Sequence, residues 1–149
     1  VTFAGEGQEL DTGAKMVHLA PDTTSLITSK SLSKAGGSSI YRSAIYIGPE
    51  AKGSKASVSC DGLMLDNESR SDTIPAMEIH TDECAVGHEA KIGRISGDAI
   101  FYLMSRGISE EEARTMIVSG FANPVSKELP LEYAVEMNNL IRLEMKGNM

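Results

Sequence analysis

The densest run of reactive side chains is Glu83-Cys84-Ala85-Val86-Gly87-His88-Glu89-Ala90, with a thiol, an imidazole and two carboxylates within eight residues. Soft thiolate and imidazole ligands suit iron, zinc or copper. A tetrahedral metal site needs about four ligands, and this spacing supplies no standard motif. On spacing alone, a strand ending in polar residues accounts for the run better than a metal centre does. The other cysteine, Cys60, stands apart, followed by Asp61. Neither cysteine belongs to a C-x-x-C pair, so neither a secreted disulfide framework nor a structural zinc site is expected. A reducing cytosol fits such usage best, and lone cysteines there are usually small buried hydrophobes.

Other chemistry is sparse. Gly5-Glu6-Gly7 lacks the third glycine of a nucleotide loop and reads as a turn. No Walker A pattern occurs, so hydrolysis of ATP by a P-loop is not expected. His18 and His80 are isolated and read as structural or exposed histidines. No Ser-His-Asp order can be argued from spacing.

The elements that must position these groups fall into two kinds. The chain has 149 residues and a net charge of −7, enough for one domain or a compact core with an appendage. The acidic balance argues against nucleic acid or an anionic membrane as partner. No stretch approaches the roughly 18 apolar residues of a membrane span. No charged-then-apolar leader is visible. Val1 in place of Met points to a trimmed or incomplete chain.

Up to about residue 95, Gly, Ser and Thr are frequent and short β-prone runs recur: 16–20, 25–31, 39–47, 56–65, 76–81 and 84–92. Pro21-Asp22, Gly36-Gly37, Gly48-Pro49, Asp66-Asn67 and Thr81-Asp82 punctuate them as turns. Clear hairpin turns are absent, which suits a solenoid whose strands pair from coil to coil. A sandwich of short strands would look similar.

Beyond that point the period becomes helical. Ser96 can cap a helix bearing Ile100, Phe101, Leu103 and Met104, with Gly107 as its stop. Ser109 and Glu112 form a capping box, and Glu110 and Glu111 favour the same helix end. Ala113, Met116, Ile117 and Gly120 follow at helical spacing. Pro130 sits in the first turn of a last helix. Val135, Met137, Leu140, Ile141 and Met145 give that helix a broad apolar face, and Gly147 follows it. The eight methionines read as core filler before adaptable binding surface.

Strand parity adds a spatial expectation. Val86, His88, Ala90 and Ile92 share one face and Glu89 takes the other, while Val58 and Cys60 share a face of an earlier strand. His88 follows Cys60 by 28 residues, about one coil of a solenoid with about 25 to 30 residues per turn. Stacked strands lie about 4.8 Å apart, so Cys60 and His88 are expected as inward neighbours on adjacent rungs. A histidine beside a cysteine favours the reactive thiolate.

Several segments, in order along nearly the whole chain, resemble the SufB/SufD family of SUF-system iron–sulfur cluster assembly subunits. They are 7–8 with 11–21; His88-Glu89-Ala90 with Ile92-Gly93; 101–113; 117–121; and 128–132. The match resembles the C-terminal part of the SufB side, because Glu89 stands where the SufD motif carries glycine. The resemblance implies a right-handed parallel β-helix over 1–95 and a helical domain of about three helices over 96–149 that docks the ATPase subunit. It implies a cytoplasmic scaffold, not an enzyme, working with the ABC-type ATPase SufC, with SufD or a second SufB, and with a sulfur donor protein. No nucleic acid and no membrane enter.

By the same resemblance Cys60 accepts sulfur and ligates a transient iron–sulfur cluster, with His88 and Glu89 as further ligands. Cys84 has no counterpart. Parity places Glu89 near a rim or subunit interface unless a β-bulge intervenes. Phe101, Tyr102, Arg106, Ile108, Glu111 and Met116 represent the docking region for SufC. The rival reading is a structural β-helix subunit that only dimerises and positions SufC, in which Cys60 is packing. A thiol-labelling pH profile separates the two. A β-helical acyltransferase would need a hexapeptide repeat, and none is found. A solenoid lacking N-terminal coils would self-associate through its open edge.

Overall fold

The structure is a computed structural model that describes residues 1–146. Gly147, expected beyond the last helix, lies outside the described residues. Thr2–Gly93 forms one compact unit, and residues 94–146 belong to another.

The first unit is a parallel β-solenoid of about three turns. Its strands are β1 (Thr2–Ala4), β2 (Glu9–His18), β3 (Thr24–Ser33), β4 (Ser38–Ile47), β5 (Lys55–Met64), β6 (Arg70–Ile79) and β7 (Ala85–Arg94). Successive strands alternate between two sheets, ordered β1-β3-β5-β7 and β2-β4-β6. Glu9 pairs with Ser38, Thr24 with Lys55 and Ser38 with Arg70, so a coil takes 29 to 32 residues. All five expected turns fall between strands.

Two strands begin earlier than their β-prone runs. β2 starts at Glu9 and β6 at Arg70, because each forms its ladder against β4 along its whole length. Gly13 and Pro75 hid this. A Cβ on Gly13 would collide with the Arg42 carbonyl across the ladder, so the close approach requires glycine. Pro75 lies in β6, which pairs only with β4. The N–H groups of Arg70 and His80 donate to carbonyls of Gly37 and Ile47. Partners alternate along a parallel strand, so Pro75 belongs to the series facing away from β4, where a missing N–H is tolerated.

Ile27, Ile45, Ile47, Ala51, Ala56, Val58 and Cys60 form the buried core of the solenoid. Burying a Val or Ile side chain contributes about 1.5–3 kcal/mol relative to exposure. Serines share the interior: Ser25, Ser29, Ser31, Ser33, Ser39 and Ser43 are buried. Buried hydroxyls need partners, and several find them across the coils. Ser33 Oγ lies 3.1 Å from Ser39 Oγ and donates to the Arg70 carbonyl at 2.9 Å. His18, expected as structural, is buried with Nδ1 2.6 Å from Thr23 Oγ1 and Nε2 2.8 Å from Ser25 Oγ.

The second unit holds α1 (Gly97–Ser105), α2 (Glu110–Ser126) and α3 (Leu131–Lys146). Ser96 caps α1 by accepting from the Ala99 N–H, and Gly107 follows its end at φ 87°. The capping box of Ser109 and Glu112 is formed in both directions. α2 packs on α1 and α3, burying Ala113, Val118 and Ala122. Two expectations for α3 need correction. Pro130 precedes the helix and supplies the carbonyl that receives the Ala134 N–H. The apolar face is narrower than its sequence implied: Ile141 is buried, whereas Val135 and Leu140 are about half exposed. They lie on sides of α3 that α2 does not cover.

Candidate functional site

Cys60 sits on β5 with its side chain inward and is 3% exposed. Parity alone fixes this, since Ala56, Val58 and Cys60 alternate with outward residues. Ser29 is its neighbour on the preceding rung. Asp61 turns the other way and pairs with Lys30, its partner in the ladder, with both side chains largely buried. That carboxylate is already engaged and is a poor candidate for an incoming metal. Gly62 completes the local shape, because a Cβ there would collide with Ser71 Oγ in the facing sheet.

β7 carries the other two residues. The Ala85 N–H donates to the Ser54 carbonyl at 3.0 Å, as the Lys55 N–H donates to the Thr23 carbonyl one coil earlier. Ala85 therefore lies beside Lys55, and counting along the strands puts His88 beside Val58 and Ala90 beside Cys60. The contact of a Cβ on Gly62 with Ile92 Cγ1 at 3.4 Å agrees with this register. His88 and Cys60 share the inward face of one sheet, as expected, but they are diagonal neighbours and not directly paired. The reason is the coil length, which exceeds the 28 residues that separate them in the chain.

His88 is half-buried, and its Nε2 is fully buried without a hydrogen-bond partner. Glu89 points outward, is exposed, and forms an ion pair with Lys91 at 2.8 Å. That hydrogen bond, with the Glu89 charge, raises Lys91 above its ordinary value. β7 runs without interruption from Ala85 to Arg94, so no bulge reverses the parity. Among the described residues no group of three or more His, Cys, Asp or Glu side chains converges on a possible metal position. Cys60, His88 and Glu89 therefore stand on adjacent rungs without forming a ligand cage within this chain.

Cys84 is partly buried against the core, with Sγ 3.3 Å from the Thr81 carbonyl. His80 is exposed, 2.8 Å from Glu78, with its ring near that of Tyr46.

In the helical unit Phe101 and Tyr102 are 73% and 56% exposed. The Arg106 guanidinium lies over the Tyr102 ring and donates to its hydroxyl at 3.1 Å. Ile108, Glu111 and Met116 line a groove of about 430 Å³ together with Arg142 and Lys146. No described helix is long and apolar enough to cross a membrane.

Residues 1–121 match the family described as SUF system FeS cluster assembly, SufBD core domain. The chain belongs to the SufBD core family. The chain is similar to proteins named iron-sulfur cluster assembly SufBD family protein in Staphylococcus aureus (strain USA300) and Staphylococcus haemolyticus (strain JCSC1435). Each is 57% identical over 148 residues, covering 99% of this chain and 32% of the relative. The chain thus spans about a third of the length of these curated SufBD relatives.

One inward residue of this SufBD chain escaped the sequence reading. Tyr41 on β4 packs against the buried cluster that contains Cys60. Its parity with Ile45 and Ile47 was the available signal.

Proposed function

We propose that this chain carries the cluster-building end of a SufB-type scaffold. Cys60 accepts sulfur and then serves as thiolate ligand to a cluster that is cargo, not a resident cofactor. His88 offers imidazole to iron, and Glu89 offers a hard oxygen donor. The observation that carries this reading is the buried, unpartnered Nε2 of His88 on the rung adjoining Cys60. A buried polar atom without a partner costs about 1–3 kcal/mol, a cost that iron bound there would remove. Glu89 is held only by an exposed ion pair, and such pairs contribute about 0–1 kcal/mol, so the side chain is free to swing.

The edges and surfaces support the partner reading. β7 pairs only with β5, and the N–H groups of Val86, His88, Ala90 and Ile92 face its unpaired side. A SufD subunit or a second SufB pairing there would bring further ligands to the incomplete site. The exposed Phe101 and Tyr102 and the groove beside Ile108, Glu111 and Met116 suit docking of the SufC ATPase. ATP-driven closure of SufC would move the scaffold, while ATP chemistry stays with that partner. A sulfur donor protein supplies Cys60. The complex works in the cytoplasm.

The experiment is anaerobic reconstitution with iron and sulfide in the complete SUF complex, read by visible absorbance, for wild type and Cys60→Ser. Loss of the cluster with folding and partner binding intact is the expected result. An unchanged cluster would sink the site assignment. It would favour a subunit that only dimerises and positions SufC, a reading that the lack of a three-ligand group among the described residues supports.

A further inference from the structure

Three observations meet in the solenoid interior beside Cys60. Tyr41 comes from β4 and Cys60 from β5, in opposite sheets, and both belong to the same packed interior. They line one cavity of about 10 Å³, together with Ser29, Ser31, Ser71 and Thr73. Thr73 pairs with Tyr41 on the next rung and has a buried Oγ1 without a hydrogen-bond partner. The space lies at the lower limit for one water molecule; hydroxyls line it beside the thiol, and so do Asp72 and Asp61, whose carboxylate is held by Lys30. Gly62, where any Cβ would collide, keeps that wall thin.

Resting on the reading of Cys60 as sulfur acceptor, we propose that Tyr41 is a positioning residue whose phenol O–H donates a hydrogen bond to the terminal sulfur of a Cys60 persulfide. An anion in a low-dielectric interior needs donors, and a hydrogen bond to an ionised acceptor is stronger than a neutral one. The phenol is suited to that role. A tyrosine phenol keeps its proton below about pH 10 and so has one to donate.

The loading step is balanced with an inorganic polysulfide as co-reactant. The electron pair of the Cys60 thiolate forms an S–S bond to the terminal polysulfide sulfur. The adjoining S–S bond in the polysulfide breaks, and the shortened polysulfide leaves with that pair and its two charges. No proton and no outside oxidant are required.

The test uses this chain with Cys84→Ser, so that one thiol remains, incubated anaerobically with inorganic polysulfide. Mass spectrometry reads the extra sulfur retained on Cys60. Tyr41→Phe is expected to retain about tenfold less, since it removes one hydrogen bond to a charged acceptor. In protein that keeps Tyr41, loading at neutral pH is expected to move the tyrosine ultraviolet band to longer wavelength, because the phenol O–H gains an ionised hydrogen-bond acceptor. Equal retention in Tyr41→Phe overturns the proposal. So does a tyrosine band that loading leaves in place, a readout that stands even if the variant fails to fold. If Cys60 of the Tyr41 protein takes no sulfur at all, the acceptor reading itself falls, and the role of Tyr41 with it.

Discussion

The Asp66 carboxylate accepts a hydrogen bond from the backbone N–H of Ala35, which stands one coil earlier. It also accepts from the N–H groups of Glu68 and Ser69 and from the Ser69 hydroxyl. One side chain thus closes its own turn and ties it to the turn before. Burial pushes Asp66 upward, but the bonds from Ser69, Glu68 and Ala35 outweigh it and hold the carboxyl below its ordinary value.

Asp66→Ala is therefore expected to lower stability by about 1–3 kcal/mol, because it strands buried donors. Urea denaturation measures the loss. Because Asp66 is depressed in the folded state, its contribution is complete above the unfolded carboxyl value of about 3.9. It disappears as pH falls through the lower folded value. Wild type and Asp66→Ala should converge in stability at the acid end of that window. A constant gap there would count against the linkage.

Lys30 and Asp61 form a largely buried ion pair between adjoining rungs, next to Cys60. Removing one charge leaves the other without its compensation. Lys30→Met is expected to cost about 3 kcal/mol, and Lys30→Met with Asp61→Leu to recover most of that. A double variant no more stable than the single one would show that these residues act through packing instead.

Gly62→Ala should destabilise the solenoid by about 1–3 kcal/mol, since its Cβ drives Ser71 out of place in the facing sheet. Adding Ser71→Gly should restore stability, as read by thermal unfolding. If it does not, the crowding lies elsewhere.

Ser109→Ala removes the side chain that accepts the Glu112 N–H at the start of α2. The expected cost is about 1 kcal/mol, read as a lower urea midpoint for the helical transition. A change within error would mean that packing on α1 and α3 fixes this end without the cap.

Much of this organisation was legible in the sequence because parity and turn chemistry are local. Cys60 inward, Glu89 outward, the caps at Ser96 and Ser109 and the five turns all followed from residues within a few positions of one another. What escaped depends on the length of a coil. The diagonal placement of His88 relative to Cys60 turns on whether a coil takes 28 residues or a few more, and loop lengths set that number. Tyr41 escaped for a related reason: its meeting with Cys60 spans two sheets, and no spacing in the chain encodes it. β2 and β6 were read short because Gly13 and Pro75 look like breakers until β4 is placed beside them.

Pro75 has a consequence for polymerisation. A solenoid end that matches the next molecule's backbone is a seed onto which copies can anneal without limit, the hazard that unpaired sheet edges carry. Of the two edges at the β6–β7 end, β6 has a gap in its donors at Pro75, while the β7 edge has no proline. An added strand would lose one backbone hydrogen bond at Pro75 on β6 and none for that reason on β7. A strand added along β7 would therefore meet no matching continuation along β6, which would limit end-to-end growth.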